Sequence, residues 1–219
     1  MKSKLQCLRE RRRVETQRAI QKHAMRLFSK RGYDGTTVND VAEAANVSPM
    51  TVYRHFPTKE DLVLSDDYNA VIAERIAARP AEESLVQRIG KTLIEDIGLM
   101  VGAGRRDTAG DGAGDGLHER LAVPGGKDLL LTRLRLVLST PALRARQWDS
   151  QHATQKIIVE AFRGDPPDPD LEFRLWVASG ACLAAVSAAL IRWAEQGGRP
   201  DLRQLIADAL AIAFEGQFS

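Results

Sequence analysis

Between Gly35 and Leu62 the chain has room for two short helices and little else, and that economy limits what the amino-terminal region can become. Thr37 is a natural N-cap, and Asp40, three residues on, can return a hydrogen bond to it in a variant capping box. Val38, Val41, Ala42 and Ala45 then form one apolar stripe on a helix of two turns, where small alanines let another helix approach closely. Asn46-Val47 makes the turn. Ser48 caps a second helix, Pro49–Phe56, with Pro49 at the first helical position, where its missing N–H costs nothing. Val52 and Phe56, at i and i+4, face the core and leave Thr51, Tyr53, Arg54 and His55 at or near the outer faces. Pro57 stops this helix and Thr58 caps the next. The spacing is that of a helix-turn-helix; an ordinary helical hairpin with a solvated outer face would share it.

Charge separates these readings. The whole chain carries a formal +2, but Met1 to Glu60 holds 13 Lys and Arg against 6 Asp and Glu, a local +7, and the remainder is at −5. A basic head on an acidic body suits a polyanion-binding module joined to a part with another task. Arg9, Arg11, Arg12 and Arg13 stand just ahead of the expected first helix, Ala19 to Arg31, where an arm could follow phosphates or enter a minor groove. A solvated basic tail is the plainer alternative.

Beyond the head the 219 residues read as helices throughout, without the period-2 alternation of strands. The expected class is all-α: a domain over 1–62 with its basic arm, then a helical domain over 63–219. The glycine-rich stretch Gly102–Gly116 reads as a surface linker, since neither a P-loop nor a calcium loop fits its residues. Cys7 and Cys182 are too distant in sequence for a disulfide framework, which fits a reducing cytoplasm. The longest apolar and small-residue run, Val177 to Ile191, is 15 residues, short of the roughly 20 that a bilayer needs. No secretory signal follows the first basic residues.

At these residues the chain resembles the TetR family of transcriptional regulators. The likeness runs through Gly32-Tyr-Asp-Gly-Thr-Thr37, Val41-Ala42, Val47-Ser48 and Thr51-Val-Tyr-Arg-His-Phe56 to Lys59-Glu60-Asp61-Leu62, about fifty residues in order. The resemblance implies an all-helical homodimer on a palindromic double-stranded operator, each protomer placing its second short helix in a major groove. Carried over by position, Thr51, Tyr53 and His55 face DNA, Thr37 and Lys59 grip phosphate, and Ser48, Met50 and Arg54 stand where base reading varies. Arg54 suits guanine O6 and N7, or equally a phosphate. The stretch Arg133–Arg146 and the helix ending at Gly198 are similar to a subgroup with acyl-CoA-like effectors.

That resemblance gives the body two tasks. For a two-fold seam, the small-residue faces of Leu171–Gln196 and Leu202–Phe214 offer Ala178, Ala181, Ala185, Ala188, Leu205 and Ala209; an intramolecular hairpin is the alternative. For an effector pocket, the candidates are Ile97, Met100, Leu134, Leu138, Trp148, His152, Phe162, Phe173 and Trp176, each of which would serve equally as core. Arg133, Arg135, Arg144 and Arg146 could meet the phosphates of an acyl-CoA. The four histidines are scattered, with no metal-ligand spacing and no nucleophile elbow, so neither a metal, a cofactor nor an enzyme is expected. The reading is a cytoplasmic, dimeric repressor released by a hydrophobic small molecule. Its rivals are a ligand-independent regulator or activator and, from another class, a helical carrier or enzyme with an incidental basic head.

Overall fold

The computed structural model describes residues 4–64, 69–102, 126–162 and 168–215; the Gly102–Gly116 linker falls almost wholly outside them. These residues form helices α1 (Lys4–Arg31), α2 (Val38–Ala44), α3 (Pro49–His55), α4 (Asn69–Ala77), α5 (Leu85–Gly102), α6 (Gly126–Ser139), α7 (Pro141–Ala161), α8 (Pro169–Glu195) and α9 (Leu202–Ala213). A 3-10 turn spans Glu60–Leu62, and no strand occurs among the described residues. The all-α class holds.

The chain divides into two compact units, and the division is not a single cut. Met1–Ser65 takes Leu136–Arg146 with it, while Asp66–Arg135 and Gln147–Ser219 make the second unit. The ends of α6 and α7 that meet at Thr140 therefore belong with the amino-terminal helices.

In the first unit α1 buries Ile20, Ala24, Leu27 and Phe28 at helical spacing. It ends at Gly32, whose φ of +78° suits glycine, and Gly35 lies so near the α1 terminus that a Cβ would sit 2.6 Å from the Arg31 carbonyl oxygen. Val41, Ala42, Val52, Phe56 and Leu62 are buried in the same unit, where α2 and the 3-10 turn pack on α1 and α3 packs on α2, and Val137 and Leu143 are the buried apolar residues of the α6–α7 corner.

The second unit is built on a core from α4, α5, α7, α8 and α9: Ile72, Ile76, Ile89, Leu93, Ile97, Ile158, Cys182, Val186, Trp193, Ile206 and Leu210. Trp193 is fully buried, and its indole N–H donates to the Pro200 carbonyl at 3.0 Å. Burial pushes the Cys182 thiol up to about 12, so it stays protonated and acts as a small apolar residue. An ion-pair network fastens α4 to α5. Arg79 reaches Glu83 at 2.7 Å and Glu95 at 3.0 Å, Arg75 reaches Glu95 at 2.9 Å and also pairs with the buried Asp96, and Lys91 joins Glu83 at 2.8 Å. By length and composition α8 could cross a bilayer. Its inner face instead supplies Leu175, Cys182, Val186 and Trp193 to the buried interior.

Candidate nucleic-acid interface

The amino-terminal helices are assembled from caps. The Thr37 hydroxyl oxygen accepts from the Asp40 N–H at 3.1 Å, and the Asp40 carboxylate accepts from the Thr37 N–H at 2.7 Å, which closes the capping box. The Thr37 hydroxyl also donates to the Asp40 carboxylate at 2.5 Å, and this bond first, then that from the Thr37 N–H, holds the Asp40 carboxyl below its ordinary range. α2 ends at Ala45 in a Schellman arrangement: the Val47 N–H donates to the Ala42 carbonyl at 3.0 Å and the Asn46 N–H to that of Glu43 at 3.1 Å. Asn46 stands at φ +52°, a left-handed position that asparagine tolerates better than most residues. The chain thus turns in very few residues before Ser48 restarts it.

Ser48 Oγ accepts from the Thr51 N–H at 3.1 Å and lies 2.9 Å from Thr51 Oγ1, and Pro49 opens the helix. Val52 is fully buried and Phe56 2% exposed. With that face pinned, Met50 is 76% exposed, Tyr53 is 49% exposed, and Arg54 is exposed beside them. Thr51 and His55 are half-buried, and the His55 ring lies tilted 6.5 Å from Phe56. The outer face presents a thioether, a phenol and a guanidinium on seven residues of backbone. That mixture can stack, donate to base edges and meet phosphate oxygens.

Thr37 is exposed, with its hydroxyl and N–H engaged in the cap. Lys59 is half-buried, and its ammonium sits 4.1 Å from the Tyr33 ring centroid and 6.0 Å from that of Phe28. The Tyr33 hydroxyl donates to Glu60 Oε1 at 2.9 Å, and burial first, then Glu60, raises the phenol well above its usual value.

The basic arm needs correction. α1 begins at Lys4, so Arg9, Arg11, Arg12 and Arg13 ride on the helix instead of preceding it. Arginine, glutamate and glutamine are good helix formers, and no glycine or proline interrupts Lys4 to Arg31. Arg12 and Arg13 are exposed, and the Arg11 side chain lies outside the described residues.

Two groups of body residues fall elsewhere than expected. Ala178 is 7% exposed within its own unit's core, and Ala185, Leu205 and Ala209 pack against that core. Ala181 is half-buried and Ala188 exposed. The open face of α8 is carried by Phe173, Val177, Ala184, Ala188 and Ile191, a series that keeps Ala188 of the expected stripe and leaves Ala178 inside. Of the pocket candidates, Ile97, Leu134 and Phe162 join the core, and Met100 and Leu138 are half-buried. Leu138 belongs to the first unit. Trp148 at 74% and Phe173 at 70% are exposed, and His152, also exposed, stacks on half-buried Trp176 at 5.3 Å. Arg144 donates to the Leu138 carbonyl at 3.0 Å, and Arg146 pairs with Asp61.

Sequence reasoning missed that last pair altogether. Arg146 Nε lies 3.1 Å from Asp61 Oδ1 across 85 positions of chain, a separation at which no local pattern announces a contact.

Comparison with known proteins agrees with this geometry. Residues 20–65 match the bacterial regulatory proteins of the tetR family, and residues 122–217 match the MftR C-terminal domain. The HTH-type transcriptional regulator TcmR of Streptomyces glaucescens is 30% identical over 214 residues, covering 95% of this chain and 83% of that one. The Staphylococcus aureus icaADBC negative transcriptional regulator IcaR is 42% identical over 40 residues, 18% of this chain and 22% of that one. In fold the chain is similar to NalD, the secondary repressor of a multidrug efflux pump in Pseudomonas aeruginosa, with a TM-score of 0.52, 18% identity, and coverage of 92% of this chain and 95% of that one. A capped helix with an exposed outer face on a basic head, with relatedness over nearly the whole length, places this chain in the TetR family of DNA-binding transcriptional regulators.

Proposed function

We propose that this regulator is a homodimeric repressor that reads a palindromic operator with α3 and leaves it when a hydrophobic small molecule occupies the body. The exposure of Met50, Tyr53 and Arg54 together on a helix whose opposite side is anchored by Val52 carries the DNA-reading part. An exposed row that includes an aromatic and two branched residues is costly to leave in water, and two copies related by a two-fold axis would cover one another's. Phe173, Val177, Ala184, Ala188 and Ile191 are therefore the residues assigned to the seam. The effector is assigned to the apolar second unit, and an acyl-CoA-like molecule, the class suggested by resemblance, is the first to try.

Release follows from population shift. An effector that favours protomer arrangements with the two α3 helices off the roughly 34–36 Å groove repeat withdraws the DNA-competent state. A swing from almost all bound to almost all free needs about 5.5 kcal/mol of discrimination between the two states. The test is a gel shift on the region upstream of the protein's own gene, with sedimentation of the free protein. A dimer that selects a palindrome and is displaced by a hydrophobic ligand is expected. A monomer, or binding without sequence preference, overturns the reading. A dimer that selects DNA but responds to no ligand leaves the ligand-independent regulator standing.

A further inference from the structure

The Asp61 carboxylate serves two masters. Its Oδ2 accepts the Thr58 N–H at 2.9 Å, while the Asp61 N–H returns to the Thr58 hydroxyl oxygen at 3.3 Å. Its Oδ1 accepts from Arg146 Nε at 3.1 Å, and the two side chains are only 15% and 27% exposed. We propose that Arg146 is a positioning residue for DNA reading: through Asp61 it sets the turn that ends the recognition helix, and so couples operator affinity to the α6–α7 corner. This rests on α3 being the DNA-reading helix.

The path is short. Phe56 caps α3 by donating its N–H to the Val52 carbonyl at 2.8 Å, and only Pro57 separates that cap from Thr58. On its other side the turn is tied to the first helix region, since Tyr33 donates to Glu60 and Lys59 lies over the Tyr33 ring. A pull on Asp61 therefore reaches the terminal residues of α3 through Thr58 and Pro57. The α3 helix is seven residues long, too short to resist a change at its end through its own hydrogen bonds.

The opposite end of the pair is held just as well. Leu143 is fully buried and Val137 8% exposed, and Arg144 clamps the corner by donating to the Leu138 carbonyl. Those contacts keep the corner in the first unit without specifying its register against Asp61. The ion pair is directional and does specify it. Arg146 lies in the second turn of α7, so a rotation or slide of that helix end reaches Asp61 as a displacement of the guanidinium.

A double-mutant cycle tests this on the full-length protein. The probe is a duplex that the wild type selects from a random library, with binding read by fluorescence anisotropy and stability by urea unfolding. Arg146→Met removes the donor, and Asp61→Asn removes the charge while keeping an oxygen for the Thr58 N–H. Each single variant should bind roughly tenfold more weakly, and the double variant no more weakly than the worse single, because both break one interaction. Losses that multiply in the double variant, or singles that bind as the wild type does, overturn the proposal. A merely structural Arg146 would lower the unfolding midpoint and leave operator affinity uncoupled to Asp61. If Arg146→Met does not fold, Arg146→Lys, which keeps charge and bulk but moves the donor, completes the cycle with the same expectation. If the wild type selects no duplex, the assignment of α3 to DNA fails first, a result distinct from failure of the coupling.

Discussion

Ser48→Ala separates the folding of the recognition helix from its chemistry. The hydroxyl contributes one cap bond, to the Thr51 N–H at 3.1 Å, and lies 2.9 Å from the Thr51 hydroxyl. Replacing an N-cap serine by alanine costs about 1 kcal/mol. α3 has seven residues, spans about 10 Å and has no length in reserve, so the loss falls on the whole element. In a domain of 60–100 residues, near the size of the first unit, that corresponds to about 4–8 °C in Tm if the unit melts on its own. Ser48→Asp supplies the control: it caps as well as serine, while adding a negative charge to an exposed position on the DNA-reading side. The alanine variant should melt early and bind operator moderately less well. The aspartate variant should melt as the wild type does yet bind far less well, since the phosphates repel it. Scanning calorimetry and an anisotropy titration distinguish the two. An alanine variant with unchanged stability, or an aspartate variant with unchanged affinity, would refute the account of α3.

Other outcomes follow from the same geometry. Tyr53→Ala should keep its fold and oligomeric state while losing about 1–3 kcal/mol of operator affinity in a gel shift; full retention would remove α3 from the interface. Leu143→Ala, at a fully buried site, should cost about 2–5 kcal/mol in urea unfolding; a loss under about 1 kcal/mol would mean the corner is not packed as described. Glu83 is held at about 2 against an ordinary 4.5, chiefly by its hydrogen bond from Arg79 and then by Lys91. Its folded value is depressed, so its contribution is complete above the ordinary value and is lost as pH falls towards about 2. Glu83→Gln should flatten the stability profile across that window, and an unchanged acid limb would refute the pairing. Operator binding should weaken steeply with salt, log K falling against log salt with a slope of about −0.9 per phosphate neutralised; a flat dependence would remove the basic head from the interface.

The reading head was legible in the sequence because its determinants are local. The Thr37–Asp40 box, the Ser48 cap and the Asn46-Val47 turn each follow from residues within a few positions of one another. The start of α1 was misplaced for the opposite reason. The run from Arg9 to Gln17 looks like a charged tail until its helix propensity is weighed. On α8 small residues occur on two faces, so the stripe of alanines alone does not say which is inside. Only the packing of α5 and α9 against Cys182, Val186 and Trp193 fixes the phase and turns Phe173 and Val177 outward. The same limit applies to Trp148, a candidate for the body's interior that is 74% exposed. The Asp61–Arg146 pair was beyond reach, since nothing near either residue in the chain points to the other.

The central claim is that the outer face of α3 enters the major groove, once in each half of the operator. Dimethyl sulfate protection reads it most directly, because guanine N7 lies in that groove. The account predicts two protected clusters about one helical turn apart, both lost in Tyr53→Ala and Arg54→Ala proteins that still dimerise. Protection in a single cluster, or bound operator with every N7 still reactive, would contradict it.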